Sequence, residues 1–274
     1  MRDRSKWLLI LLGILLAAGY SHRLGRPNLD ARDLEYGFYQ YENWEQGKIR
    51  WTGKRAVTMI TPEADVFGIK VVAFSQNSSP PEGLNLKVFL DDRQLENTWF
   101  FNGGQQYLYW YVPEIAGQQV RFRMAVNRAF CPADLGINQD SRLLGVAVSP
   151  IMFLRIMPAD GIGFHKPAAV NGTPSCRWTR KQASLPAGQC SRTLYLRCSH
   201  PDIARRPVKV KISGDGTVLQ ELTFSGHDWQ KVVLDDRALA AAEVVTFAVS
   251  RTWNPRQMGM GEDDRDLGVA VRQL

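Results

Sequence analysis

The amino-acid sequence predicts an all-β protein: two tandem, duplicated antiparallel β-sandwiches of jelly-roll or Ig-like topology, preceded by one N-terminal hydrophobic helix. Three observations predict it. The chain repeats itself at a fixed offset, apolar residues alternate with period two in both copies, and a short apolar run follows a basic N-terminus. Composition agrees. With 274 residues, 45% apolar, 22% charged and 10% aromatic side chains and a net charge of +7, the chain is no disordered tail, collagen-like fibre or polytopic membrane protein.

The first element reads Met1-Arg-Asp-Arg-Ser-Lys6, then a 14-residue apolar run from Trp7 to Tyr20. A basic stretch before such a run has the form of a secretory signal, and a spanning helix wants about 20 apolar residues. Trp7 and Tyr20 bracket the run as interfacial aromatics do, which favours a retained anchor. Ala17 and Gly19 stand at the spacing of a peptidase site, which favours cleavage. Residues 1–20 are therefore expected to be a signal anchor or signal peptide, and 21–34 a juxtamembrane linker. Arg2, Arg4 and Lys6 keep the N-terminus inside, so the bulk of the chain is expected in the periplasm or at the cell surface, held by residues 7–20 or secreted if cleaved.

The two copies are expected at 35–155 and 156–274. Residues 128–148 match residues 251–271 at an offset of 123 without a gap. The identities are Arg128/Arg251, Pro132/Pro255, Gly136/Gly259, Asp140/Asp263 and Arg142/Arg265, then Leu144-Gly-Val-Ala-Val148 against Leu267-Gly-Val-Ala-Val271. The fronts match too: Gly37-Phe38 precedes Arg50-Trp51-Thr52, and Gly163-Phe164 precedes Arg177-Trp178-Thr179. The joint from Pro150 to Pro158 is short and apolar, which predicts copies packed on one another. Strands are expected where Leu84, Leu86, Val88 and Leu90 alternate with Asn85, Lys87 and Phe89, and where Val208, Val210 and Ile212 alternate with Lys209 and Lys211. Turns follow at Asp91-Asp92 and at Gly214-Asp215-Gly216, and further strands at Val120–Val126 and Val245–Val249. The best helix candidate is Arg237–Glu243.

The repeated signature offers two readings. Asp140 and Arg142, like Asp263 and Arg265, share a strand face at i, i+2 and either pin the loop as an ion pair or line a sugar-sized cleft beside Phe130 or Trp253. Trp51 and Trp178 are read first as core, second as platforms. Tyr107, Tyr109 and Tyr111 share one face of a strand, making either a domain interface or an exposed platform. Nine basic residues against Asp202 alone between Cys176 and Lys211, Arg197 among them, make either a site for an anionic partner or a solvated basic face with no specific ligand. The export signal speaks against nucleic acid. The candidate ligand-binding residues are thus Tyr107, Tyr109, Tyr111, Arg128, Asp140, Arg142, Arg251, Asp263, Arg265 and Arg197.

Four cysteines in an exported chain predict a disulfide joining Cys176 to Cys190 or Cys198, with the remaining pairing open. The scattered histidines carry no metal motif, and no nucleophile elbow, phosphate loop or dinucleotide fingerprint occurs. No catalytic residue, metal or cofactor is predicted. Glu262, Asp263, Asp264 and Asp266 keep a glycan hydrolase as a minor alternative.

The Gly-Phe-Tyr-x-x-Glu front, Gly37 to Glu42, with Arg50-Trp51-Thr52 and the Arg…Pro…Gly…Asp-x-Arg-x-Leu-Gly-Val tail, resembles extracytoplasmic β-sandwich modules that accompany bacterial membrane glycosyltransferases and other envelope-polysaccharide proteins. The resemblance spans residues 35–274 and implies work on an anionic or neutral envelope glycan, accessory to a membrane glycosyltransferase or another envelope protein. It assigns no catalytic residue. A scaffold that docks on a membrane partner through the aromatic face is the competing expectation.

Overall fold

Alternating apolar residues turn one face of Leu84–Leu90 and of Val120–Val126 inward, and these two strands pair side by side at the centre of the first copy. The computed structural model describes residues 35–273 apart from Gln46, 79–81 and 171–172. The apolar run and the linker at 1–34 lie outside the described residues. Among the described residues no helix is long and apolar enough to cross a membrane.

The first copy contains β1 (Tyr36–Trp44), β2 (Gly47–Ile60), β3 (Val66–Ala73), β4 (Leu84–Leu90), β5 (Arg93–Phe100), β6 (Gly104–Tyr111), β7 (Val120–Val126), β8 (Ala147–Val148) and β9 (Met152–Leu154). Their order is β5-β4-β7-β2-β8-β3-β6, with β1 on β2 and β9 on β3, all pairs antiparallel. The second copy follows with β10 (Ile162–Phe164), β11 (Ala168–Val170), β12 (Thr173–Pro186), β13 (Thr193–Arg197), β14 (Val208–Gly214), β15 (Thr217–Phe224), β16 (Gln230–Val233), β17 (Val244–Val249) and β18 (Ala270–Gln273). Its order, β15-β14-β17-β12-β18-β13-β16, repeats the first strand for strand.

The long strands β2 and β12 curl each sheet into a sandwich. Arg50 and Trp51 pair with β8 while Arg55–Ile60 pair with β7, so the strand passes from one layer to the other. In β12, Arg177 and Trp178 pair with β18 and Gln182–Pro186 with β17. Between the layers of the first copy, Phe67, Trp110 and Phe122 pack with Leu86, Met124 and Val148; in the second, Leu196, Val210, Phe224 and Phe247 do so. The repeated Gly-Phe front has a steric cause. Gly37 and Gly163 sit at φ of +74° and +72°, and a Cβ there would stand 1.9 Å from the Arg55 carbonyl oxygen and 2.1 Å from that of Gln182.

Among the described residues helix is confined to short pieces. Asp235 caps Asp236–Ala240 by accepting the Ala238 N–H at 2.9 Å, so this helix starts one residue earlier than the Ala-rich stretch predicts and ends before the chain enters β17. The expected disulfide is not formed, and all four thiols are free. Cys176 lies near the start of the long strand β12 and Cys190 beyond its end, and β18 lies between β12 and the strand leading to Cys198. Two strand spacings of about 4.8 Å exceed what a disulfide spans. Burial pushes the Cys190 thiol up to about 11 and raises that of Cys198.

The copies pack together, β5 and β6 lying over β10 and β12. Val66, Tyr111, Ile162 and Val244 form the apolar part of the joint. Gln182 donates to the Tyr111 carbonyl at 2.7 Å, Arg180 donates to Gln106 Oε1 at 2.8 Å, and the Trp99 N–H donates to Asp266 Oδ2 at 3.0 Å. Glu96 and Asp266, only 3% and 2% exposed, are both buried in this joint.

Candidate functional site

The signature is first of all a folding device. Thr52 accepts the Val146 N–H on its hydroxyl at 3.1 Å, and Thr179 accepts that of Val269 at 3.0 Å. Gly145 and Gly268 each donate their N–H to the carbonyl of the same threonine at 2.7 Å. A side chain at Gly145 would meet the Gly53 carbonyl oxygen at 2.5 Å, so only glycine lets the returning chain cross β2 this closely. The loops before this crossing close on themselves identically. Ala133 and Arg256 donate to the carbonyls of Asp140 and Asp263, both at 2.9 Å.

The Asp–Arg pairs lie in these loops and not on a strand face, because the backbone is held by the close crossing rather than by ladder pairing. Arg142 forks onto Asp140, Nε to Oδ1 at 2.9 Å and Nη2 to Oδ2 at 2.7 Å, while Asp140 also accepts the Arg142 backbone N–H. Arg265 makes the same fork on Asp263. These hydrogen bonds hold both aspartates below the usual carboxylate range.

In the first copy a further layer is built on the fork. Arg142 Nη1 reaches Glu42 Oε1 at 2.8 Å, and the Trp44 indole N–H donates to Glu42 Oε2 at 3.2 Å. Trp44 stands edge-on to both Trp51 and Phe74, at 6.1 and 5.8 Å between ring centroids, and Trp51 leans on Phe74 at 4.7 Å. Phe130 closes the far side, 5.9 Å from Trp51. Ile49, Trp51, Leu144 and Ala147 form the buried floor, with Trp51 only 6% exposed, in line with its reading as core. The result is a cleft of about 380 Å³ with an aromatic wall, the Glu42–Arg142–Asp140 chain along one rim, and Gln76 and Asn138 supplying amides.

The structure unites Asp140 and Arg142 with Trp51 and Phe130 and disperses the other predicted residues. Tyr111 is buried in the joint, Tyr109 is half-buried against Gly68, and Tyr107 is 53% exposed, stacked on Tyr109 at 6.3 Å. The tyrosine face therefore runs from domain interface to open surface, and burial raises the Tyr111 hydroxyl beside Asp215. Arg128 pairs with Glu82. Arg251 Nη1 donates to Asp202 at 2.6 Å and to His200 Nε2 at 2.9 Å. Arg197 lies half-buried on β13. Glu262, Asp263, Asp264 and Asp266 do not converge, since Glu262 approaches Arg256, Asp263 is taken by Arg265, and Asp266 is in the joint.

Glu42, Trp44 and Phe74 are the site residues that sequence reasoning missed. Glu42 and Trp44 alternate on β1 after the repeated Gly37-Phe38, which places them on one strand face; Phe74 follows β3 with no signal of its own. The second copy keeps Trp178 and the Asp263–Arg265 fork and has Trp253 at the position of Phe130. By strand register, however, Ser199 stands where the first copy has Phe74, so the ring stack is not duplicated.

Fold and cleft together define a tandem all-β protein with an aromatic, ion-lined cleft in its first copy. No protein-family model matches the chain, and comparison with curated proteins finds no match. Among solved structures it is similar to the N-terminal CBM22-1-CBM22-2 tandem domain of Paenibacillus barcinonensis Xyn10C, at 7% identity and a TM-score of 0.26 over 89% of this chain and 92% of that one. It is also similar to the M60 catalytic domain with CBM51-1 and CBM51-2 from Clostridium perfringens ZmpB, at 12% identity and a TM-score of 0.24 over 85% of this chain. The chain spans 36% of that structure's length. The plant receptor-like kinase FER resembles it at 10% identity and a TM-score of 0.26, over 89% of each chain. At overlaps this low the likenesses assign no activity to the chain.

Proposed function

We propose that the protein is a non-enzymatic, extracytoplasmic glycan-binding protein, held at the membrane by residues 7–20 and accessory to envelope polysaccharide assembly. The observation that carries the binding reading is the cleft: three rings, Trp44, Trp51 and Phe74, beside a rim of fixed carboxylate, guanidinium and amide groups. A pyranose ring has an apolar C–H face and an equator of hydroxyls. Such a ring lays its C–H face on an indole while its hydroxyls meet preorganised donors and acceptors, which is the division of labour this cleft provides. The fork orients Arg142 before any ligand arrives, which lowers the ordering cost of binding.

Chemistry is disfavoured by the same geometry. A glycosidase acid needs a carboxyl raised toward neutrality, whereas Asp140 is held low by Arg142. The scaffold reading loses most of its face, because Tyr111 and much of Tyr109 are spent in the joint. Binding of the full chain to a panel of neutral and acidic envelope polysaccharides tests the proposal. Saturable binding that falls with Asp140→Asn supports it. A folded chain that binds none of them contradicts it.

A further inference from the structure

The second copy carries a different surface at the place corresponding to the cleft's side of the sandwich. Tyr195 on β13 is the direct cross-strand partner of Lys231 on β16 and of Arg272 on β18. One step along, Arg197 partners Ala270, which in turn partners Trp178. Directly paired residues and i, i+2 neighbours share a sheet face, and the alternate residues Leu194, Leu196, Val232 and Val271 are buried in the core. Lys231, Tyr195, Arg272 and Arg197 are therefore one outward face.

Arg272 is held between two rings, 4.8 Å from Tyr195 and 5.1 Å from Trp229. The Nε atoms of Arg272 and Arg197 are buried without a hydrogen-bond partner. Among the described residues no carboxylate lies within 4 Å of Arg197, Lys231 or Arg272, unlike the guanidiniums of Arg142, Arg251 and Arg265. The corresponding positions of the first copy are Val72, Tyr107, Ser149 and Lys70, with one cation in place of three.

We propose that this face is a second binding site, for the acidic groups of a polysaccharide: uronate carboxylates or sulfate substituents. A guanidinium flanked by two aromatic rings, with no acidic partner among the described residues, presents its fork to a planar or tetrahedral anion. The flanking Tyr195 and Trp229 give the sugar bearing that anion an apolar seat. A membrane surface is the less suitable occupant, because Arg272 and Arg197 are half-buried and are reached by a group entering the face, not by a plane of lipid head groups. The choice of polysaccharide rests on the glycan reading above; the anion site itself does not.

The test compares the full chain on polygalacturonate, on its methyl ester, on dextran sulfate and on vesicles containing phosphatidylglycerol. The proposal expects tighter binding to polygalacturonate or dextran sulfate than to the uncharged ester. It expects Lys231→Gln, an exposed change that leaves the core intact, to reduce that preference, and Lys231→Gln with Arg272→Gln to reduce it by about tenfold or more. Binding to the neutral ester then remains, and Trp44→Ala reduces it, so failure of the cleft and failure of this face are read separately. Equal affinity for the acid and its ester overturns the proposal. So does a preference that survives both substitutions, or a loss confined to the vesicles.

Discussion

Single residues decide the two most constrained points of each copy. Gly37 and Gly163 hold positive φ with a neighbouring carbonyl where a Cβ would be, so Gly37→Ala is expected to destabilise the first copy by at least about 1–3 kcal/mol, read as a lower midpoint in denaturant. An unchanged midpoint would contradict the close packing at that turn. Thr52 and Thr179 supply buried hydroxyl acceptors to Val146 and Val269. Thr52→Val keeps the shape and orphans a buried N–H, with an expected cost of about 1–3 kcal/mol, and Thr179→Val is expected to cost a similar amount. In the cleft, Arg142 is held by two carboxylates, and Glu42→Gln weakens one of these while leaving the fork on Asp140 intact.

Elements were legible where burial imposes a period and obscure where loops close on themselves. Leu84–Leu90, Val120–Val126 and Val208–Gly214 could be read directly, because a half-buried strand repeats every second residue. The hairpin turns at Asp91 and Asp215 were equally clear, and the structure adds the reason for an aspartate there. Asp91 accepts the Arg121 N–H at 3.0 Å and Asp215 those of Glu243 and Val244 at 2.7 and 3.0 Å, tying each turn to the neighbouring strand. The last five residues of the signature read as a strand, yet in the first copy only Ala147–Val148 form one, with Leu144 in an isolated bridge to Phe130 and Gly145 crossing close over β2. The cleft was half visible. Repetition pointed to Asp140, Arg142 and Trp51, which recur in both copies, and to Phe130, whose place Trp253 takes in the second. It could not point to Trp44, Phe74 or Glu42, which matter because they are not shared. The cysteines misled for a related reason: spacing along the chain does not reveal that β18 separates the strands leading to them.

At the scale of the whole molecule, the joint between copies couples stability to pH. Burial, with the Glu96 carboxylate adding to it, pushes the Asp266 carboxyl up to about 8 from 3.8. A carboxyl raised on folding is tolerated without cost while protonated in both states, so its penalty grows as pH rises from about 4 and is complete above about 8. His165 acts oppositely: burial pulls it down to about 4 from 6.5, so its contribution is present above 6.5 and is lost as pH falls toward 4. The two oppose one another at acid pH, leaving the slope from Asp266, to which the likewise raised Glu96 carboxyl adds, clearest between about pH 6.5 and 8. Unfolding followed across that range is expected to show falling stability, and Asp266→Asn is expected to flatten it; an unaltered slope would contradict a buried carboxyl in the joint. The most direct measurement of the central claim is calorimetric titration of the full chain with the tightest envelope polysaccharide of the panel, against Trp44→Ala and Tyr107→Ala. The account predicts that Trp44→Ala lowers affinity by about tenfold or more, as truncation of an aromatic anchor does, while Tyr107→Ala changes it little. Equal affinity for wild type and Trp44→Ala, or a loss at Tyr107→Ala alone, would contradict it.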